Sequence, residues 1–343
     1  MAFAKNKRER IKKYILEKIE RKDSDFVKKV AKNFGISLTI VYRYVKELAN
    51  EGIIKKEEGY YKLTSVEHKF IYHTNGRQLE EDEIFQKEVQ PIIYNLPQNV
   101  QKVWAYAFTE MMNNAIEHSG AEIICGSVTR NYLDTTIFIL DNGIGIFEKI
   151  KSYYNYASLD DAISELFKGK LTTDSENHSG EGIFFTSRML DEFAAMSSGK
   201  IFTHDPHFDI CKDVESIPEI SRWKDEKGTT ILMTLSNDSS RTTKEVFDMF
   251  SDPDEGFVKT HIPLKNIFAN GYPVSRSQAR RLTTRFNDFK EVVLDFEGVE
   301  DLGQGFAHEL FVVFQKRNPK TKLIVENANE DVEKMINHVK NTK

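Results

Sequence analysis

The stretch Thr135–Gly145, TTIFILDNGIG, is the point from which the whole chain can be read. Its β-branched and aromatic residues read as a strand paired with the alternating segment Glu122 to Arg130, and it runs straight into Asp141-Asn142-Gly143-Ile144-Gly145. Glycines at 143 and 145 let the backbone turn sharply or approach a planar ligand. A carboxylate at a strand end can accept a hydrogen bond from an exocyclic amine such as that of adenine. Taken alone, the same pentapeptide also suits a turn with a solvated Asp.

Upstream, VWAYAFTEMMNNAIEHS (103–119) puts Phe108, Met111, Met112 and Ala115 on one helical face, with Glu110, Asn114 and His118 at four-residue spacing beside it. A carboxylate and a carboxamide one turn apart present oxygens in the same direction. They can hold a magnesium ion and orient a water or hydroxyl against a terminal phosphate. Alone, the spacing describes an ordinary solvated helix face equally well. Downstream, Ser179-Gly180-Glu181-Gly182-Ile183 precedes the apolar helix pattern Phe184, Phe185, Met189, Leu190. Glycines ahead of a helix N-terminus leave amide groups and the positive end of the helix dipole pointing at a phosphate. Gly228-Thr229-Thr230 then leads into the strand Ile231–Leu235 and puts a hydroxyl at its start.

In this order, the four segments resemble the N box, the two glycine boxes and the Gly-Thr strand start of the GHKL ATPases, which include heat-shock chaperone ATPases, DNA gyrase, mismatch-repair ATPases and the histidine and anti-sigma-factor kinases. The resemblance covers about Pro97 to Leu235. It implies ATP and Mg2+ as ligands, Glu110 as general base or water-orienting group, and Asn114 as magnesium ligand. Asp141 would read adenine, with Thr229 supporting that contact through its hydroxyl, and Gly143, Gly145, Gly180 and Gly182 would shape the pocket. Ile146 to Ser179 would be the ATP lid, with Lys168, Lys170, Thr173 and His178 as candidates to reach phosphates.

Ahead of this region, Ile11, Tyr14, Ile15 and Ile19 recur at helical spacing, and a second helix follows from Ser24 until Gly35 breaks it. Ser37 can cap a third helix whose stripe Val41, Tyr44, Val45, Leu48 is buried, leaving Thr39, Arg43 and Lys46 on the opposite face. Gly52–Lys56 and Tyr60–Leu63 flank a Glu-Glu-Gly turn and read as a hairpin. The stretch KVAKNFGISLTIVYRYVKELANEGII resembles the winged helix-turn-helix regulators, which implies double-stranded DNA as partner and Thr39, Arg43 and Lys46 as the groove-facing residues. Met1 to Lys62 carries 17 Lys and Arg against 9 Asp and Glu, a net +8 that leaves −13 for the rest. A basic head on an acidic body fits a polyanion partner for the head alone. Glu57 and Glu58 at the wing tip run against that charge. One such unit reads only a few base pairs, so a homodimer is expected.

From Ser275 helices and strands alternate, a small α/β layer. The phrase VLDFEGVEDLGQGFAHEL (293–310) resembles the STAS-like domains related to anti-anti-sigma factors. Those carry a kinase-target serine in the turn after the strand, whereas this chain has Gly303-Gln304-Gly305 there, so no phosphorylation is expected at that turn. The fold class expected is α+β, with a winged helix at 1–64, a linker and helix at 65–97, a central Bergerat (GHKL) α/β sandwich at 98–240 and the STAS-like domain at 262–343. Cys125 and Cys211 stand far apart without metal-ligand spacing, and no stretch approaches the roughly 18 apolar residues of a membrane span, so a cytoplasmic protein is expected. Three functions follow from the resemblances: a nucleotide-gated DNA-binding transcriptional regulator, an anti-sigma-type serine/threonine kinase acting on a separate protein, or an interaction module in which the winged helix docks a protein and ATP is a structural ligand.

Overall fold

The structure, a computed structural model, describes residues 2–75, 78–171, 180–204, 227–268 and 272–341, with side chains from residue 7. Its described residues form a mixed α/β arrangement with several sheets. No helix among them is long and apolar enough to cross a membrane.

The chain opens with α1 (Ala2–Glu20), α2 (Phe26–Phe34) and α3 (Leu38–Asn50), followed by the hairpin β1 (Ile54–Glu57) and β2 (Tyr60–Leu63). Gly35 ends α2 in the left-handed conformation that a β-carbon disfavours, and the Ser37 hydroxyl caps α3 by accepting the Ile40 amide at 3.4 Å. Ile11, Ile15, Val30, Val41, Val45 and Leu48 close a core of their own.

The stretch from 65 to 97, expected as a linker and helix, does contain helical turns but also contributes β3 (Val66–His73), the edge of the central sheet, paired antiparallel with the next strand. His68 and His73 are exposed on it. His68 nonetheless meets Glu88, which also accepts from Tyr72 Oη at 2.6 Å. Burial opposes ionisation of Glu88, yet the bonds from His68, Lys87 and Tyr72 outweigh it and bring the carboxyl down to about 2. Glu88 lies in a π-helical turn, Phe85–Val89, between α4 (Glu81–Ile84) and α5 (Gln90–Ile93). These bonds fasten β3 to the helical layer.

The centre comprises α6 (Gln98–Asn113), β4 (Ile123–Arg130), β5 (Asp134–Asp141), α7 (Ile146–Tyr154), α8 (Leu159–Lys168), α9 (Gly182–Met189), β6 (Glu192–Ser197), β7 (Lys200–Thr203) and β8 (Thr229–Ser236). The six-stranded sheet has the order β3-β4-β5-β8-β6-β7. One of its faces, with Ile124, Val128, Ile137, Ile139, Ile231 and Met233, packs on Trp104, Phe108 and Met111 of α6 and on Phe184 and Phe185 of α9.

Next come α10 (Thr243–Phe250), the short pair β9 (Ser251–Asp252) and β10 (Gly256–Phe257), then β11 (Lys259–Pro263), α11 (Leu264–Ile267), α12 (Arg276–Leu282), β12 (Glu291–Asp295), α13 (Gln304–His308), α14 (Gln315–Arg317), β13 (Lys322–Glu326) and α15 (Glu330–Asn341). β11, β12 and β13 form a parallel sheet, so this layer starts at Lys259, ahead of the expected boundary at 262. Ser275 begins α12 with a reciprocal capping box to Gln278. Phe257, Phe286 and Phe289 belong to the same continuous apolar cluster as the central helices, so the C-terminal layer is packed directly onto the centre.

Candidate functional site

A cavity of about 330 Å³ lies between the helical layer and the ends of β5 and β8, near the lower end of the roughly 300–1,000 Å³ usual for ligand pockets. Around it the structure gathers Glu110, Asn114, Asp141, Gly145, Gly180, Gly182 and Thr229 from four separate segments. Its apolar lining includes Met111, Ile139, Ile146, Ile150 and Ile231. Gly143 does not line it. That glycine packs under the Ser119 carbonyl, where a β-carbon would collide.

Asp141 is the buried end of β5, 5 % exposed, and its Oδ1 accepts the Gly143 amide at 2.8 Å. Burial pushes its carboxyl up to about 6, against hydrogen bonds from the Gly143 amide and from the amide and hydroxyl of Thr229. Thr229 Oγ1 in turn accepts the Ile146 amide at 3.0 Å, tying the start of β8 to the start of α7. Asn142 turns outward and its Oδ1 accepts the amides of Glu122 and Ile123, both at 3.0 Å, pinning the loop to β4.

Across the cavity, Glu110 sits near the end of α6 and Asn114 opens a π-helical turn, Asn114–His118, rather than continuing the α-helical spacing. Such single π turns recur at functional sites because the wider helix redirects side chains. Helix α9 comes so close that a β-carbon at 182 would push the Glu110 carboxylate out of its position. Its N-terminus therefore faces the cavity with Gly182 and Ile183. Lys149 also lines the cavity and donates to the His118 carbonyl at 2.6 Å. It went unnoticed in sequence, although Ile146, Lys149 and Ile150 show helical spacing from Gly145.

Lys168 and Lys170 turn away from the cavity. Lys168 is fully buried, paired with Glu165, and donates to the Thr284 carbonyl at 2.8 Å. Lys170 donates to the Asp288 carbonyl at 3.1 Å and lies over the Phe257 and Phe289 rings. Both are drawn into the junction with the C-terminal layer, whose carbonyls and rings satisfy the ammonium groups. Thr173 and His178 lie outside the described residues.

Among the described residues no cluster of three or more His, Cys, Asp or Glu could hold a metal by itself. The carboxylate of Glu110 and the carboxamide of Asn114 suit an ion that takes its other ligands from a bound phosphate and water. Far from this cavity, Thr39, Arg43 and Lys46 are all exposed on α3, opposite its buried stripe, and Arg43 lies 5.4 Å from the Tyr44 ring centroid.

The N-terminal unit meets the centre at the other ends of the two cavity strands. Leu133, just before β5, is buried in the core of α1 to α3. Lys13 pairs with Asp238, just after β8, at 2.7 Å, and Asn131 donates to Glu20 at 3.1 Å. The register of β5 on β8 runs from Asp134 opposite Ser236 at this junction to Asp141 opposite Thr229 at the cavity.

Residues 278–333 match a family model described as a STAS-like domain of unknown function, in agreement with the C-terminal resemblance. No curated protein matches the chain.

Proposed function

We propose that the chain is an ATP-binding regulator in which a nucleotide site gates DNA binding, built from a winged helix-turn-helix, a GHKL-type ATP-binding centre and the STAS-like domain. The observation that carries this reading is Asp141, a buried carboxylate at the end of an apolar cavity whose opposite wall presents Glu110 and Asn114. A planar base with an exocyclic amine satisfies that carboxylate, and the isoleucine walls match its faces. Amides at the start of α9 suit phosphates, and Lys149 supplies a cation on the same cavity. Magnesium, when bound, would neutralise phosphate charge beside Asn114. Glu110, packed against Gly182, is placed to orient a water or hydroxyl.

Strands β5 and β8 supply a route for gating. Each has the nucleotide contact at one end and a contact with the N-terminal unit at the other, roughly 24 Å away at about 3.4 Å per residue. A ligand that prefers one arrangement of this strand pair shifts the N-terminal unit by its differential affinity, and DNA shifts nucleotide affinity in return. On α3 the exposed Arg43 and Lys46 provide cations for phosphates and base edges.

Equilibrium titration with MgATP, MgADP and MgGTP tests the pocket. Adenine nucleotides should bind, MgGTP should bind far more weakly, and Asp141→Asn should lose the distinction. Equal binding of ATP and GTP refutes adenine reading by Asp141. The position of Glu110 also admits the kinase reading. Labelled ATP with candidate partner proteins separates the two, since protein-bound phosphate appears only under the kinase reading.

A further inference from the structure

Helix α8 ends at the cavity, and the backbone after it is unusual. Gly169 and Lys170 both have positive φ, at 77° and 51°. Leu166, Gly169, Leu171 and Gly180 line the cavity, and the Leu171 amide donates to the Gly180 carbonyl at 3.0 Å. This wall follows a helix C-terminus, where carbonyls are left without intrahelical partners. The Leu166 carbonyl accepts the Gly169 amide and the Phe167 carbonyl accepts Arg188 Nη2 at 3.5 Å, whereas the carbonyls of Lys168, Gly169 and Lys170 find partners in the C-terminal layer. Thr260 Oγ1 donates to the Lys168 carbonyl at 2.8 Å, and one Arg285 nitrogen, Nη2, donates to the Gly169 carbonyl at 3.1 Å and also to the Lys170 carbonyl. The other, Nη1, meets the buried Glu165 at 3.2 Å, and Nε meets Asp288 at 3.2 Å.

Arg285 is itself left-handed, with φ of 63°, a conformation that costs a non-glycine residue free energy and persists only where surrounding contacts fix it. Its guanidinium spreads its donors over two carbonyls and two carboxylates, a pattern that one lysine ammonium cannot reproduce.

We propose that Arg285 is a positioning residue for the nucleotide site, by which the STAS-like domain holds one wall of the cavity in its binding shape. This rests on the nucleotide reading of the cavity. By linkage, whatever draws the C-terminal layer off the centre weakens nucleotide binding, and nucleotide strengthens the docking of that layer.

The test compares the full-length chain with Arg285→Gly, Arg285→Lys and Thr260→Val, measuring MgATP affinity and, without nucleotide, hydrogen exchange of the Leu171 amide against a β6 amide. Glycine suits the left-handed backbone, so Arg285→Gly removes the side chain without adding strain. Arg285→Gly should weaken MgATP binding about tenfold, the effect of losing a charge-assisted hydrogen bond, with Leu171 exchange accelerated and β6 exchange unchanged. Arg285→Lys should recover only part of both, and Thr260→Val should move both in the same direction. Unchanged affinity and unchanged Leu171 exchange in Arg285→Gly overturn the proposal. Equal acceleration at Leu171 and β6 also overturns it, since that marks a general loss of stability. If the wild-type chain binds no MgATP, the nucleotide reading fails by itself. Leu171 exchange then decides whether Arg285 holds the wall: local acceleration supports it and unchanged exchange refutes it.

Discussion

Asp141→Asn should make the protein more stable and less able to bind nucleotide, and both effects can be sized. The folded carboxyl titrates at about 6 against an ordinary 3.8. Its folded pKa is therefore the higher one, and ionisation opposes folding. That cost is full above about pH 6, shrinks between there and 3.8, and is absent below. Roughly two pH units at 1.36 kcal/mol each give a cost of about 3 kcal/mol at pH 8. Asparagine keeps an oxygen for the Gly143 amide but turns an NH2 towards Thr229, a loss of about 1 kcal/mol. The net gain of about 2 kcal/mol corresponds to roughly 4–8 °C in the melting transition of a domain of this size. Below pH 3.8 the sign reverses, and the variant should melt lower. Losing the charged acceptor should weaken ATP binding by roughly 10- to 150-fold, the worth of a hydrogen bond to a charged group. Calorimetric melts of both proteins from pH 3.5 to 8, with ATP titrations at pH 8, measure both. A variant that melts lower than wild type at pH 8, or binds ATP equally well, refutes the reasoning.

Gly182→Ala should push the Glu110 carboxylate aside at a cost below about 1 kcal/mol, since only the end of a flexible side chain must move, and that cost should vanish on a Glu110→Ala background. Denaturant unfolding of the four proteins in this double-mutant cycle measures the coupling. Glu110→Ala alone should spare ATP binding and abolish any turnover, compared by titration and by phosphate release. Arg43→Ala and Lys46→Ala should each lower DNA affinity, and each lost phosphate contact should reduce the slope of log affinity on log salt by about one. Unchanged salt slopes would exclude α3 as the DNA-contacting helix. Leu133→Ala, at the junction with α1, should destabilise by about 2 kcal/mol and remove the effect of ATP on DNA binding while ATP affinity stays at the wild-type value.

Local chemistry made much of this legible in sequence. The Ser37 cap, the Gly35 break and the Asp141–Gly145 turn are determined by residues a few positions apart, and each appears in the expected place. The cavity residues are separate in sequence, but each segment carried its own backbone signature. Elements defined by distant partners were harder to see. β3 buries only Phe70 among its eight residues, so the alternation of a half-buried strand is faint. β11 is KTHIP, with one isoleucine and a terminal proline, and becomes a strand because β12 lies alongside it. Lys168 and Lys170 are candidates to reach phosphates in sequence because they fall in the stretch that the GHKL resemblance makes the ATP lid. Glu165 of α8 pairs with Lys168, and the remaining partners of the two lysines, the carbonyls of Thr284 and Asp288 and the rings of Phe257, Phe286 and Phe289, are supplied by the C-terminal layer. The π turn at Asn114 and the approach of Gly182 to Glu110 depend on how α6 and α9 pack, which periodicity does not encode.

The claim that ATP gates DNA binding is tested most directly by titrating the full-length chain into labelled duplex DNA from upstream of its own gene, with and without MgATP, alongside Asp141→Asn. The account predicts a shift in DNA affinity with MgATP for the wild-type chain and none for the variant. DNA affinity that is identical with and without MgATP in the wild-type chain, under conditions where ATP is bound, would contradict it.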